Sequence, residues 1–391
     1  MSPAIMAVNR RTLDKARRLR EDLHRHPELA YEEVRTARVV AAALRAAGVR
    51  EVRTGVAGTG VVALLRGAHA GRTVALRADM DALPIREETG LPYASVREGV
   101  MHACGHDGHT AILTAVAAVL AGMRERIAGR VKFIFQPAEE GGAGGRRMVE
   151  EGCLRDPDVD CIFALHARTV AAGQVELSLT PNVGVNGFRI IVHGRGAHGA
   201  APHLAVDPVV IGAQIVTAAQ TIVSRERRPD CPLVLSFCAF RAGTKDNIIP
   251  DSAELLGAIR ATDMATLRRV RQALGRLARA VARSMRGRVE VADLEVYPPV
   301  KNDPELLALV AYVGGEVVGK RNVVRAKEQR MGAEDFAFYL PDQGGVPGVI
   351  FQLGVGTTEN LHTARFDFGS KALEPGILML ANVALEALTP R

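Results

Sequence analysis

Met101-His102-Ala103-Cys104-Gly105-His106-Asp107-Gly108-His109 sets histidines, a cysteine and an aspartate close together, and an apolar helical run, residues 110–120, follows at once. Imidazole and thiolate are borderline-to-soft donors, and the two glycines let the backbone bend closely around an ion. A lone histidine here would be an ordinary polar residue, but other stretches carry matching chemistry. Val131-Lys132-Phe133-Ile134-Phe135-Gln136 reads as a short buried strand and leads into Pro137-Ala138-Glu139-Glu140-Gly141-Gly142. Residues 161–165 are apolar and close on His166, residues 72–78 close on Asp79-Met80-Asp81, and residues 350–354 precede Leu361-His362. Four such runs, each leading into Asp, Glu or His, predict an α/β fold with a mostly parallel sheet. Its strand ends gather the polar groups along one edge, where open α/β sheets form their sites.

Composition narrows the function classes. A chain of 391 residues is long for a single core and predicts more than one domain. No stretch approaches the ~20 consecutive apolar residues of a membrane span. The first residues lack the apolar core of a secretory leader. An odd number of scattered cysteines, 5 in all, predicts reduced thiols and a cytoplasmic protein. The net charge of +7 raises the question of nucleic acid, but the densest basic stretch, residues 267–286, alternates its arginines with apolar residues at three- and four-residue intervals. That pattern predicts an amphipathic helix with a solvated arginine face. Without tryptophan or interleaved aromatics it offers no stacking platform for a single strand, and neither nucleic acid nor membrane is expected as a partner.

The basic helix belongs to a middle unit. Residues 187–193 alternate as a strand; residues 207–224 read as a helix with Asp207 as N-cap and Pro208 in the first turn. Strands are predicted over 233–240, 253–260 and 288–296, around the arginine helix. The order β-α-β-β-α-β is the ferredoxin-like split motif. The predicted division is a catalytic domain in two parts, residues 1–182 and 299–391, interrupted by a smaller lid and dimerisation domain at 183–298. An open sheet edge on such an insert is a pairing liability, which a second copy covers in a homodimer.

Several stretches occur in a fixed order: Leu23-His24-Arg25-His26-Pro27-Glu28-Leu29, Arg77-Ala78-Asp79-Met80-Asp81-Ala82-Leu83-Pro84, residues 101–109, Phe135-Gln136-Pro137-Ala138-Glu139-Glu140-Gly141, Asn247-Ile248-Ile249-Pro250-Asp251, Gly332-Ala333-Glu334-Asp335-Phe336 and Leu361-His362. Through them nearly the whole chain resembles the hippurate hydrolase and N-acyl-amino-acid amidohydrolase branch of the dinuclear metallopeptidases. That group includes aminoacylases, plant auxin-conjugate hydrolases and glutamate-releasing carboxypeptidases. The resemblance implies that Cys104, His106, Glu140, His166 and His362 hold two divalent metal ions, of the Zn, Mn, Co or Ni kind, and that Glu139 is the general base. It implies hydrolysis of an N-acyl amino acid to a carboxylic acid and a free amino acid, by a metal-bound hydroxide whose proton Glu139 takes and passes to the leaving nitrogen. Asp81 resembles the aspartate that orients a metal-bound histidine. Asp79, His102 and His109 are expected to support ligands rather than to bind metal. In the insert, His198 resembles a histidine that reaches the substrate carbonyl, often in the partner subunit's site, while Asn247 and Arg260 resemble residues that contact the substrate's carboxylate or amide.

The chain departs from the branch after His166, reading Ala167-Arg168-Thr169-Val170-Ala171-Ala172-Gly173 where relatives are proline-rich, and again over residues 180–186. Both departures bear on which acyl group and amino acid are accepted. Alternatives on the same scaffold are a dipeptidase or an N-carbamoyl-amino-acid amidohydrolase, and more remotely a catalytically silent binding protein. A cysteine nucleophile at Cys104, acting with His106, is a further alternative that chelators would leave untouched.

Overall fold

The computed structural model describes residues 7–389. The chain forms two compact units. The first runs to Pro181 and takes in Lys301–Lys327 and everything from Asp335 onward; the second is Asn182–Val300 with Glu328–Glu334.

The first unit begins with α1 (Arg10–Arg25), α2 (Val34–Ala46), β1 (Glu51–Val56), β2 (Gly60–Arg66) and β3 (His69–Asp79). It continues with α3 (His106–Ala121), β4 (Ala128–Gln136), α4 (Gly144–Glu150), β5 (Cys161–Arg168) and β6 (Val175–Leu177). The second unit holds β7 (Gly184–His193), β8 (Ala197–His198), α5 (Pro208–Thr221), β9 (Leu233–Ala242), β10 (Ile248–Ile249), β11 (Ser252–Ala261), α6 (Met264–Ser284) and β12 (Arg288–Tyr297). The first unit then resumes with α7 (Pro304–Gly314), β13 (Val323–Arg325), β14 (Gly348–Gly354) and α8 (Leu373–Leu388).

Its sheet has 8 strands in the order β1-β2-β4-β3-β5-β14-β6-β13. The central neighbours β4-β3, β3-β5 and β5-β14 are parallel, while β1-β2, β2-β4 and β14-β6 are antiparallel. Continuous apolar runs suit these central strands because helices cover both faces: every residue of β14 is buried, as are the last six of β4. The C-terminal ends of β4, β3, β5 and β14 therefore share one sheet edge. The segments that leave it carry Glu139 and Glu140, Asp79 and Asp81, His166 and His362.

The helix after the cysteine starts earlier than its apolar run indicates. α3 begins at His106, not Thr110, because Gly105 takes φ +90° and closes the preceding loop into the helix. A side chain at Gly105 would also meet the Ala167 Cβ at 2.9 Å. His106, Asp107 and His109 consequently lie on the first turn of a buried helix, with fixed directions.

The second unit is an antiparallel sheet in the order β12-β7-β11-β9, with α5 and α6 packed on one core. Numbered within the unit, this is the 4-1-3-2 order of the split β-α-β-β-α-β motif. Asp207 caps α5 by accepting from the Val209 and Val210 amides, with Pro208 in the first turn. On α6, Leu267, Val270, Leu274 and Ala278 face the core while Arg268, Arg276, Arg279 and Arg283 face solvent. β8 and β10 form a separate two-residue pair, and β9 and β12 are the edges of the sheet. Among the described residues no helix is long and apolar enough to cross a membrane.

Candidate metal centre

Asp79 ends β3, fully buried, between two partners. One carboxylate oxygen accepts from Arg77 Nη1 at 2.7 Å, the other from His109 Nδ1 at 2.6 Å. The His109 Nε2 accepts the Ala167 amide at 2.8 Å, so its proton must sit on Nδ1. This chain locks the first turn of α3 against the strand end that bears His166. Burial alone would raise the Asp79 carboxyl, but His106, Arg77 and His109 outweigh it and hold it well below the ordinary range.

Asp81, two residues on, divides its carboxylate differently. Oδ1 lies 3.2 Å from His106 Nδ1, which is also 2.9 Å from the Asp81 carbonyl, and Oδ2 accepts the Glu140 amide at 2.9 Å. With Nδ1 so engaged, the His106 Nε2 is buried with no hydrogen-bond partner among the described residues. His166 is arranged likewise: Nδ1 donates to the Ala167 carbonyl at 3.0 Å, leaving Nε2 facing the Cys104 sulfur at 3.5 Å. The exposed His362 brings its Nε2 to 3.3 Å from the same sulfur and to 3.0 Å from Glu140 Oε1. It sits at φ +63°, pinned by its own amide to the Ala103 carbonyl at 2.8 Å. Glu139 accepts the Asp335 amide at 3.3 Å.

Donor atoms of Cys104, His106 and His166 lie within 4.8 Å of one another, as do those of Cys104, Glu140 and His362, and those of His106, Glu139 and Glu140. The sulfur thus stands between two imidazoles and belongs to two of these groups. The protonation equilibria of the cluster are strongly perturbed. Burial, then Glu140, Glu139 and Asp79, push the Cys104 thiol well above its ordinary range. Burial would lower His106, but the carboxylates of Asp79, Asp81 and Glu140 push it up to about 10. Burial with the neighbouring His109 pushes His166 down to about 3, the neutral form that binds metal. Cys104, His106 and their neighbours would hold a divalent ion, which would supply the positive charge that the proton on His106 now carries and would favour the thiolate of Cys104. The nitrogen, sulfur and oxygen donors suit a borderline transition metal.

A further buried network stands behind this cluster. Arg20 donates from Nε to Asp107 at 2.9 Å and from Nη2 to Asp367. His24 bridges Asp107 at 2.9 Å and Glu87 at 3.2 Å. Asp107 follows His106 and Asp367 lies shortly beyond His362, so α1 ties together two segments that carry donors. His102 is buried, belongs to none of the donor groups, and is pushed down to about 3 by burial. Of these positions, Arg20 and Arg77 escaped the sequence reading. The available signal was a charged residue inside an apolar stretch, as Arg77 stands within Thr73-Val74-Ala75-Leu76-Arg77-Ala78.

In the second unit, His198 lies opposite Ile248 across β8 and β10, and the Gly199 amide donates to the Asn247 carbonyl at 2.8 Å, so His198 and Asn247 are neighbours. Arg260 is elsewhere. It lies near the far end of β11, opposite Val185, and donates from Nη1 to the Met331 carbonyl at 2.6 Å. Ser252, opposite His193, marks the end of β11 nearer His198. At roughly 3.3 Å per residue, Ser252 and Arg260 stand about 26 Å apart along β11.

The sequence model for peptidase family M20/M25/M40 matches residues 75–386. Over 383 residues the chain is 38% identical to thermostable carboxypeptidase 1 of Saccharolobus solfataricus, covering 94% of each chain. It is 34% identical to the hippurate hydrolase of Campylobacter jejuni, over 95% of this chain and 96% of the other. The crystal structure of a Bacillus subtilis protein described as a dinuclear metal-binding peptidase of the M20 family superposes with TM-score 0.85 at 32% identity, covering 97% of this chain and 99% of that one.

The network behind the cluster has a pH signature. Burial would lower His24, but its bonds to Asp107 and Glu87 push it up to about 9 from 6.5. A raised histidine stabilises the fold fully below its unfolded pKa and loses that contribution as pH rises through its folded one. The shift corresponds to about 3 kcal/mol. Urea midpoints should therefore fall as pH rises from 6.5 through about 9, and the slope should flatten in His24→Gln; equal slopes in the two proteins would remove His24 from the account.

Proposed function

The chain belongs to peptidase family M20/M25/M40, a family of hydrolases acting on amides, and on that premise we propose that it releases the amino acid from N-acyl amino acids of the hippurate kind. A carboxypeptidase and a hippurate hydrolase, the activities named for two of its relatives, cleave the same bond: an amide whose nitrogen belongs to an amino acid with a free carboxylate. The observation that carries the reading is the His106 Nε2, buried and without a hydrogen-bond partner among the described residues, beside the Cys104 sulfur and the two glutamates.

Cys104, His106, Glu140, His166 and His362 would hold two divalent ions, from among Zn, Mn, Co and Ni. When bound, these supply Lewis acidity to a water and to the amide carbonyl. Glu140 and Glu139 divide the remaining work. Glu140 has its amide on Asp81 and its carboxylate against His362, so it is committed to holding the centre. Glu139 takes the proton of the attacking water and returns it to the leaving nitrogen. Asp81 fixes the direction of the His106 ring and the tautomer that leaves Nε2 free. His198 donates to the carbonyl oxygen as negative charge grows there, and Asn247 and Arg260 bind the amino-acid carboxylate or amide.

The lid dimensions imply who serves whom. An N-acyl amino acid is far shorter than the separation between the His198 and Arg260 ends of one lid. We assign the two residues to different sites, with His198 acting in the site of a second copy that pairs along an open sheet edge. The free cysteines and the thiolate ligand fit a reducing compartment, and we place the protein in the cytoplasm.

Release of glycine from benzoylglycine should stop after EDTA and return with Mn²⁺ or Zn²⁺. Glu139→Gln should lose about 100-fold or more in kcat while keeping its metal. Near-normal turnover in that variant removes Glu139 as the base, and turnover only on dipeptides or carbamoyl amino acids moves the assignment to those substrates. Mixing Glu139→Gln with His198→Ala subunits should restore about a quarter of wild-type activity, since half of the random dimers carry one intact site. No recovery from a demonstrably mixed dimer places His198 in its own subunit's site.

A further inference from the structure

We propose that Glu33, assisted by Tyr31, is a positioning residue that aims Glu139 by clamping both ends of the turn that carries it. The proposal rests on the assignment of Glu139 as the base. Glu33 is fully buried, and its carboxylate receives two bonds: the Ala138 amide donates to Oε1 at 2.8 Å, and the Thr59 hydroxyl donates to Oε2. Ala138 is the residue before the base and stands at φ +52°, a left-handed conformation that an alanine keeps only where its surroundings fix it. At the other end of the turn, the Tyr31 hydroxyl donates to the Gly142 carbonyl at 2.5 Å, and Arg147 lies over the Tyr31 ring at 4.7 Å. Tyr31 itself is at φ +63°.

Between these anchors the turn has no slack. A side chain at Gly142 would meet the Ala138 Cβ at 2.6 Å and the Tyr31 ring at 3.0 Å. Inside the turn, Asp81 takes the Glu140 amide, which fixes the metal-side glutamate; the Ala138 amide is held by Glu33. Without that acceptor a buried N–H is orphaned, and the backbone at Ala138 is released toward the right-handed region, swinging Glu139 from its aim. The Glu33 carboxylate bonds the Ala138 amide and the Thr59 hydroxyl and belongs to none of the donor groups among the described residues, so its effect runs through Glu139. The oxygen it offers Ala138 matters, rather than its charge. A glutamine can present the same acceptor to Ala138 and turn its amide toward the Thr59 hydroxyl, which then accepts.

The test compares Glu33→Ala, Glu33→Gln and Tyr31→Phe with wild type in the metal-loaded enzyme. Glu33→Ala should lower kcat on benzoylglycine by about 30-fold or more, with KM within about threefold, the loss expected when a base is misaimed but substrate binding survives. The acid limb of its kcat–pH profile should shift, its metal content should match wild type, and Glu33→Gln should restore kcat to within about threefold. Tyr31→Phe, which removes one hydroxyl and keeps the ring, should show a smaller loss of the same kind. Equal kcat and an unmoved acid limb in both Glu33→Ala and Tyr31→Phe overturn the proposal, as does a Glu33→Gln as impaired as Glu33→Ala. Should Glu33→Ala not fold, Tyr31→Phe and Glu33→Gln decide by the same readings. Hydrogen–deuterium exchange over residues 137–144 separates this idea from the assigned reaction. An enzyme inert toward every amide defeats the assigned reaction, while faster exchange in Tyr31→Phe still supports the clamp and unchanged exchange defeats it.

Discussion

One carboxylate of Asp81 accepts from the His106 imidazole and from the Glu140 backbone amide, and these belong to different elements. His106 opens α3; Glu140 lies in the turn between β4 and α4. The spacing between an imidazole donor and a carboxylate donor is thereby set by a single buried side chain, itself fixed at the end of a central strand. The same economy appears at Ala103, whose carbonyl receives the His362 amide and so joins the last donor in the sequence to the Cys104 loop. Metal affinity depends on such prior arrangement, because every donor ordered in advance is one whose freedom need not be lost on binding.

Parallel strands explain how distant donors meet. β4, β3, β5 and β14 run the same way side by side, so whatever follows each strand arrives at the same edge, although the sequence between β5 and β14 includes the whole second unit. This part of the structure was legible in the sequence because it obeys a local rule. An apolar run long enough for a strand, followed at once by Asp, Glu or His, needs no knowledge of its partners. Helix α5 was legible for the same reason, with Asp207 and Pro208 marking its start by short-range chemistry.

What was not legible depends on pairs far apart in the chain. Arg20 reads as one more charge on a helix, Arg77 as a polar break in a strand, and Glu33 as one of two adjacent glutamates. Their meaning lies in Asp107, Asp79 and the Ala138 amide, and no periodicity encodes those contacts. The start of α3 was hidden differently. Glycine signals either a turn or a left-handed residue that launches a helix, and only the φ of +90° at Gly105 distinguishes them. Thus His109, expected to support a ligand, shows its partners, Asp79 and the Ala167 amide, only in the folded chain.

The two arginines share a physical task. Arg77, together with His106, holds Asp79 ionised, and Asp79 in turn holds His109; Arg20 holds Asp107 ionised next to His106. A buried carboxylate left to itself would take up a proton and cease to fix the tautomer of the histidine it faces. A cation placed directly beside the donors would repel a divalent ion. Setting each guanidinium behind a carboxylate avoids both outcomes, since the nearer negative charge dominates at the site while the farther positive charge keeps it ionised. The fold therefore concentrates anionic character at the edge where donors converge and places the compensating charge one residue deeper in the protein.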